Sequence, residues 1–169
     1  GISIDETIER HMAETIKIQG EYCGFNLTVY SIHSNRTYYI NNKQDMKVPR
    51  ILEKGHNYAL GNIDIDTVQE KSQYGLGLYS KVIEELNFLS CKQLSIELET
   101  IMNDTKSFSE NPNDEASIFV QPYYCTLDNA QRRTKSTTFI FVKHDLTLEV
   151  REVTHSDDKV STVSYSGSF

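Results

Sequence analysis

Thr137-Thr-Phe-Ile-Phe-Val-Lys-His-Asp-Leu-Thr-Leu-Glu-Val-Arg151 is the stretch whose reading decides the fold. Its first six residues are apolar on both faces, which predicts a central strand. Leu146, Leu148 and Val150 then alternate with Thr147, Glu149 and Arg151, which predicts a second strand with one wet face. His144-Asp145 lies between them, where a hairpin turn belongs. Glu152-Val153 breaks the alternation and predicts a bulge. Ser156-Asp157-Asp158 reads as a turn, and Val160 to Tyr165 as a weaker strand. Upstream, Ala116 to Leu127 is strand-like, with Pro122 directing it to a sheet edge.

Before Ala116 the period is 3.6 rather than 2. Asn111-Pro112-Asn113 marks the loop at the change. Cys91, Leu94, Leu98 and Ile101 form one helical stripe. Leu76, Tyr79, Ile83 and Leu86 form another, predicting a helix over about Leu78 to Ser90 whose start is blurred by Gly75 and Gly77. Further back, Phe25 to His33 and Arg36 to Asn41 flank Ser34-Asn35 as a hairpin. A short strand is expected around Lys47 to Leu52. At the N-terminus Ser3-Ile-Asp-Glu6 is a capping box, and Ile4, Ile8, Met12 and Ile16 make a single stripe.

The order α, ββ, αα, ββββ gathers strands in antiparallel runs, so the expected class is α+β. The expectation is one domain over residues 1–169: an antiparallel sheet of five to six strands, with the N-terminal helix and a central acidic helix pair on one face. A chain of 169 residues is long enough to bury a core without staples. With 10 Tyr and 7 Phe it does not read as disordered. No apolar run nears the roughly 18 residues of a membrane span.

Cys23, Cys91 and Cys125 are an odd number, widely spaced and without a C-x-x-C pair. They argue against a disulfide framework and favour a reducing compartment such as the cytoplasm. The chain opens on Gly1 rather than Met, so a missing leader says little. Asn26, Asn35 and Asn103 head N-x-S/T triplets, which a chain this rich in Asn, Ser and Thr carries by chance.

The net charge of -7 is regional. Eleven acids and four bases lie between Asp64 and Glu115, and the rest of the chain is neutral. Such a surface disfavours nucleic acid and favours a basic protein partner or a cation. Glu84, Glu85, Glu97 and Glu99 on the expected helix pair are the candidate partner-binding acids. Arg132, Arg133 and Lys135 form the one basic cluster, placed in a loop between strands. It suits a carboxylate-rich partner, a phosphate, an anionic membrane surface or the acidic helices of a second copy. Of the pairs Tyr38-Tyr39 and Tyr123-Tyr124, one ring each must point outward; Tyr39 and Tyr124 are the candidate binding rings.

Catalytic patterns are absent from the sequence. His11, His33, His56, His144 and His155 make no i, i+4 pair or Cys/His cluster, so no metal or other cofactor is expected. Asp64-Ile-Asp66 with Glu70 reads as a helix start rather than a cation site. Asp145, Glu149 and Arg151 are too close along one hairpin for a nuclease core; Glu149 and Arg151 are expected to pair. Gly75-Leu-Gly77 lacks the third glycine of a phosphate loop, and no G-x-S-x-G elbow occurs. The function expected on these grounds is a non-enzymatic protein-binding domain of inhibitor, immunity, adaptor or viral accessory type. A membrane-active or self-assembling toxin-like protein and a small hydrolase with a spatially assembled site are the alternatives.

Overall fold

The computed structural model describes residues 1–61, 63–85, 91–110, 116–125, 129–156 and 160–168, with Cys91 described by its backbone alone. The chain divides into two compact units, Gly1–Ser72 and Gln73–Phe169.

In the first unit, helix α1 (Ile4–Lys17) begins as its capping box predicts. The Ser3 hydroxyl accepts from the Glu6 N–H at 3.1 Å, and the Glu6 carboxylate accepts from the Ser3 N–H at 2.7 Å. Strands β1 (Asn26–Ser31), β2 (Arg36–Asn41) and β3 (Arg50–Leu52) form an antiparallel sheet in the order β1-β2-β3. The β1–β2 turn closes on Asn35, at φ 52, a left-handed position that asparagine tolerates. Its Oδ1 accepts from the Tyr30 hydroxyl at 2.8 Å.

Met12 and Ile16 from the helical stripe meet Tyr38 and Ile40 from β2 in the buried core, with Ile8, Phe25, Leu27, Val29 and Met46 packed around them. Tyr39 and Asn41 face the opposite way yet are also buried. The Tyr39 hydroxyl donates to Asn26 Oδ1 at 2.7 Å and accepts from Asn41 Nδ2 at 3.0 Å and the Ile65 N–H at 3.2 Å. The central strand is therefore covered on both faces.

The second unit holds helices α2 (Glu70–Glu84, its first three residues belonging to the first unit) and α3 (Cys91–Met102). It also holds a two-stranded ribbon, β4 (Tyr123–Cys125) with β5 (Ala130–Arg132), and an antiparallel sheet β6 (Ser136–Val142), β7 (Thr147–His155) and β8 (Val160–Ser168) in sequential order. α2 starts earlier than its sequence pattern predicts and runs through both glycines. At Gly75 a Cβ would lie 3.1 Å from Ile118 Cδ1, so the missing side chain admits that close packing and offsets the poor helix propensity. The Tyr74 hydroxyl donates to Asp104 Oδ2 at 2.8 Å, fixing α2 to the end of α3.

The α+β class and the antiparallel pairing hold. The single sheet of five to six strands does not, because the strands fall into sheets of three, two and three. Ala116 to Leu127 contributes only β4 among the described residues, and β5 had no signal of its own. β7 pairs without interruption from Thr147 to His155, so no bulge forms at Glu152-Val153. Leu146 is not a strand residue; it turns the hairpin at φ 64, with Asp145 Oδ1 accepting from the Thr147 N–H at 2.9 Å.

The faces of this sheet are the reverse of expectation. Thr137, Phe139 and Val153 are buried on the side that carries Arg151, while Ile140 is 64% exposed on the side that carries Leu148 and Val150. Arg151 ties its own face to α3. Its Nη1 donates to Ser95 Oγ at 2.9 Å and its Nη2 meets Glu99 Oε2 at 2.6 Å, drawing α3 against that face. Glu149 pairs with Lys143 instead of Arg151. The expected loop at Asn111-Pro112-Asn113, the turn centred on Asp157-Asp158, Leu86 of the helical stripe, Asp114 and Glu115 of the acid count, and the Cys91 side chain lie outside the described residues.

Candidate anion-binding site

The ribbon positions the basic cluster. Tyr123 pairs with Arg132, Tyr124 with Gln131 and Cys125 with Ala130. Asn129, at φ 53, leads into β5. Beyond β5 the backbone is held at two further points. The Thr134 N–H donates to the Val120 carbonyl at 3.0 Å, and the Val120 N–H donates back to Thr134 Oγ1 at 2.9 Å. The Lys135 carbonyl then accepts from the His155 N–H at 2.8 Å. His155 is itself seated edge-on to Phe119, with ring centroids 4.9 Å apart, and lies 3.2 Å from Thr137 Oγ1. The segment between Arg132 and Lys135 is thus pinned to β4, to Val120 and to the end of β7.

Val120, Gln131, Arg132, Arg133, Thr134 and Lys135 line an open cavity of about 320 Å³. Arg132 and Lys135 are exposed and Arg133 is half-buried. Two guanidinium forks and an ammonium on a fixed backbone suit a carboxylate or a phosphate, whose oxygens match the fork bidentately. Arg132 ends β5, while Arg133 and Lys135 lie in the connection between β5 and β6, where a loop is expected, and that connection is braced. The structure adds Val120, Gln131 and Thr134, which the sequence pattern did not single out; a lone threonine between two bases gives no warning of two hydrogen bonds to a residue fourteen positions away.

The other candidate residues fare differently. Tyr124 is exposed and directly opposite Gln131, so its ring stands on the same side of the ribbon as that cavity-lining residue. Tyr39 is buried in the first unit with its hydroxyl fully engaged, and cannot offer a binding ring. Glu84, Glu85 and Glu97 are exposed. Glu99 is not part of a free acidic face, since it pairs with Arg151 across the helix–sheet contact.

Asp64 does not start a helix, because α2 begins only at Glu70. It caps a turn, accepting from the Asp66 and Thr67 N–H groups and the Thr67 hydroxyl, which together hold its carboxyl below the usual range. Asp66 instead pairs with Arg50 at 2.6 Å. Among the described residues, no three His, Cys, Asp or Glu side chains converge as a metal site would require. No helix among them is long and apolar enough to cross a membrane.

The chain matches a known family model. The model described as Transport and Golgi organisation 2 (TANGO2) covers residues 3–157. No curated protein matches the chain. The family match overturns the expectation of an inhibitor, immunity, adaptor or viral accessory domain, and points to a transport- and Golgi-related family. Regional acidity was a poor guide because charge constrains partners and not function, and part of it is consumed internally at Glu99.

Proposed function

The chain belongs to the Transport and Golgi organisation 2 family, and from that premise we propose that it serves the transport role in the family's name by binding an anionic ligand in its basic cavity. The ligand class is a carboxylate or phosphate compound, opposite in sign to the basic partner that the acidic helices suggest. The observation that carries this reading is the clustering of Arg132, Arg133 and Lys135 around one cavity in a chain of net charge -7. Arg133 is the anchor, because it is the half-buried cation and lies between the β5 pairing and the Val120–Thr134 brace. Arg132 and Lys135 raise the local potential from the rim. Tyr124 supplies ring area beside the cavity.

Titration calorimetry with inorganic phosphate and with succinate tests the reading. Wild-type protein is expected to bind at least one of them saturably, more weakly as salt is raised. Arg133→Glu should weaken binding by about tenfold or more, equivalent to roughly 1.4 kcal/mol. Arg133→Lys should lose more than Arg132→Lys, because an ammonium cannot reproduce the fork. Absence of saturable binding to either anion, or unchanged affinity in a folded Arg133→Glu chain, would overturn it.

A further inference from the structure

β8 is the last strand of its sheet, and its nine residues Val160–Ser168 are all exposed. Among the described residues its outer edge has no strand against it. Natural sheets blunt such edges with charge, proline or a bulge, because a row of unpaired backbone groups templates further pairing. β8 has none of these: Val-Ser-Thr-Val-Ser-Tyr-Ser-Gly-Ser contains no charged residue and no proline, and its register against β7 is unbroken.

The strand is also self-complementary. If two copies pair antiparallel about Ser164, every residue from Val160 to Ser168 finds a partner. Val163 of each strand then lies opposite Tyr165 of the other, a β-branched residue against an aromatic, which is a favourable cross-strand pair. These two side chains share one face and are 48% and 68% exposed. On the other face Thr162 meets Ser166 and Ser164 meets Ser164, small hydroxyl residues that fit and can bond. Since the strand is uncharged, no like charges oppose across the axis, although the chain as a whole is acidic.

We propose that β8 is a homodimer edge, joining two copies through antiparallel β8–β8 pairing centred on Ser164 and extending each three-stranded sheet to six strands. The chemistry selects a second copy over a charged partner, which would find no counter-charge on this strand.

A pairing centred on Ser164 brings the two Ser164 Cα atoms to about 4.5–5.5 Å, within disulfide reach. In a Cys23→Ser background, Ser164→Cys should therefore give a disulfide dimer under mild oxidation, and Ser161→Cys should not. By sedimentation equilibrium the unmodified chain should pass from monomer towards dimer with rising concentration. Ser164→Pro, which removes an N–H and kinks the strand, should shift it to monomer; Tyr165→Lys, which leaves the backbone intact, should do the same by placing like charges across the axis. A chain that stays monomeric at all accessible concentrations, or equal crosslinking at positions 161 and 164, would overturn the proposal.

Discussion

Tyr38 and Tyr39 show how far neighbouring residues of the same type can differ. Both are buried, at 0% and 1% exposure. The Tyr39 hydroxyl makes three hydrogen bonds, whereas the Tyr38 hydroxyl has no partner among the described residues. A buried hydroxyl without a partner costs desolvation and returns nothing; one with several partners leaves them stranded when removed. Tyr39→Phe should therefore destabilise by about 2–4 kcal/mol, whereas Tyr38→Phe should be neutral or stabilising by up to about 1 kcal/mol. Urea midpoints of the two variants measure the contrast, and a larger loss in Tyr38→Phe would show that its hydroxyl has a partner. The sequence indicated that one ring of the pair points inward. It could not show that the second is also enclosed, because the covering Ile65 lies 26 residues away along the chain.

The lesson at the level of elements comes from β7. Its alternation of leucine and valine with threonine, glutamate and arginine correctly predicts a strand, but not which face is inside. Period alone cannot distinguish the two faces when an arginine on the polar side recruits a helix. Arg151 does so with Ser95 and Glu99, and its guanidinium carbon lies 5.9 Å from the Phe139 ring centroid. With both charged side chains of the Arg151–Glu99 pair about a quarter exposed, at 27% and 29%, their coupling should be about 1 kcal/mol. A double-mutant cycle with Arg151→Ala and Glu99→Ala reads this directly; additive single effects would mean that the pair contributes nothing. α1, by contrast, was legible in its start and its buried face, because its cap and stripe are both local. α2 was legible as a helix but not in its start, since the packing of Ile118 on Gly75 is a tertiary fact.

At the scale of the molecule, the class and most elements could be read from the sequence, but the division of strands among three sheets could not. Sheet membership is set by pairings between segments, and no local pattern encodes them. The basic cluster was visible as charge; its cavity depends on Val120 and His155, both distant in sequence. One global property does follow from many local bonds. Asp5 is held below the usual carboxylate range by the Ser31 and Ser34 hydroxyls, Asp104 by the Lys106 N–H and the Tyr74 hydroxyl, and Asp145 by Thr147. A carboxyl with a lowered folded pKa contributes stability above its unfolded value and loses it as pH falls through the folded one. Unfolding midpoints should hold steady from neutrality to about pH 5 and then decline below about pH 4. A series of urea titrations against pH checks this, and constant midpoints down to pH 3 would refute it. The bond from Arg151 to Ser95 spans 56 residues, whereas the bond from Asn26 to the Ile63 carbonyl in the first unit spans 37. During synthesis the sheet of the first unit can therefore pair early, while α3 must wait for β7 before it can be secured; the first unit should be the early folder and the sheet that carries Arg151 the late one.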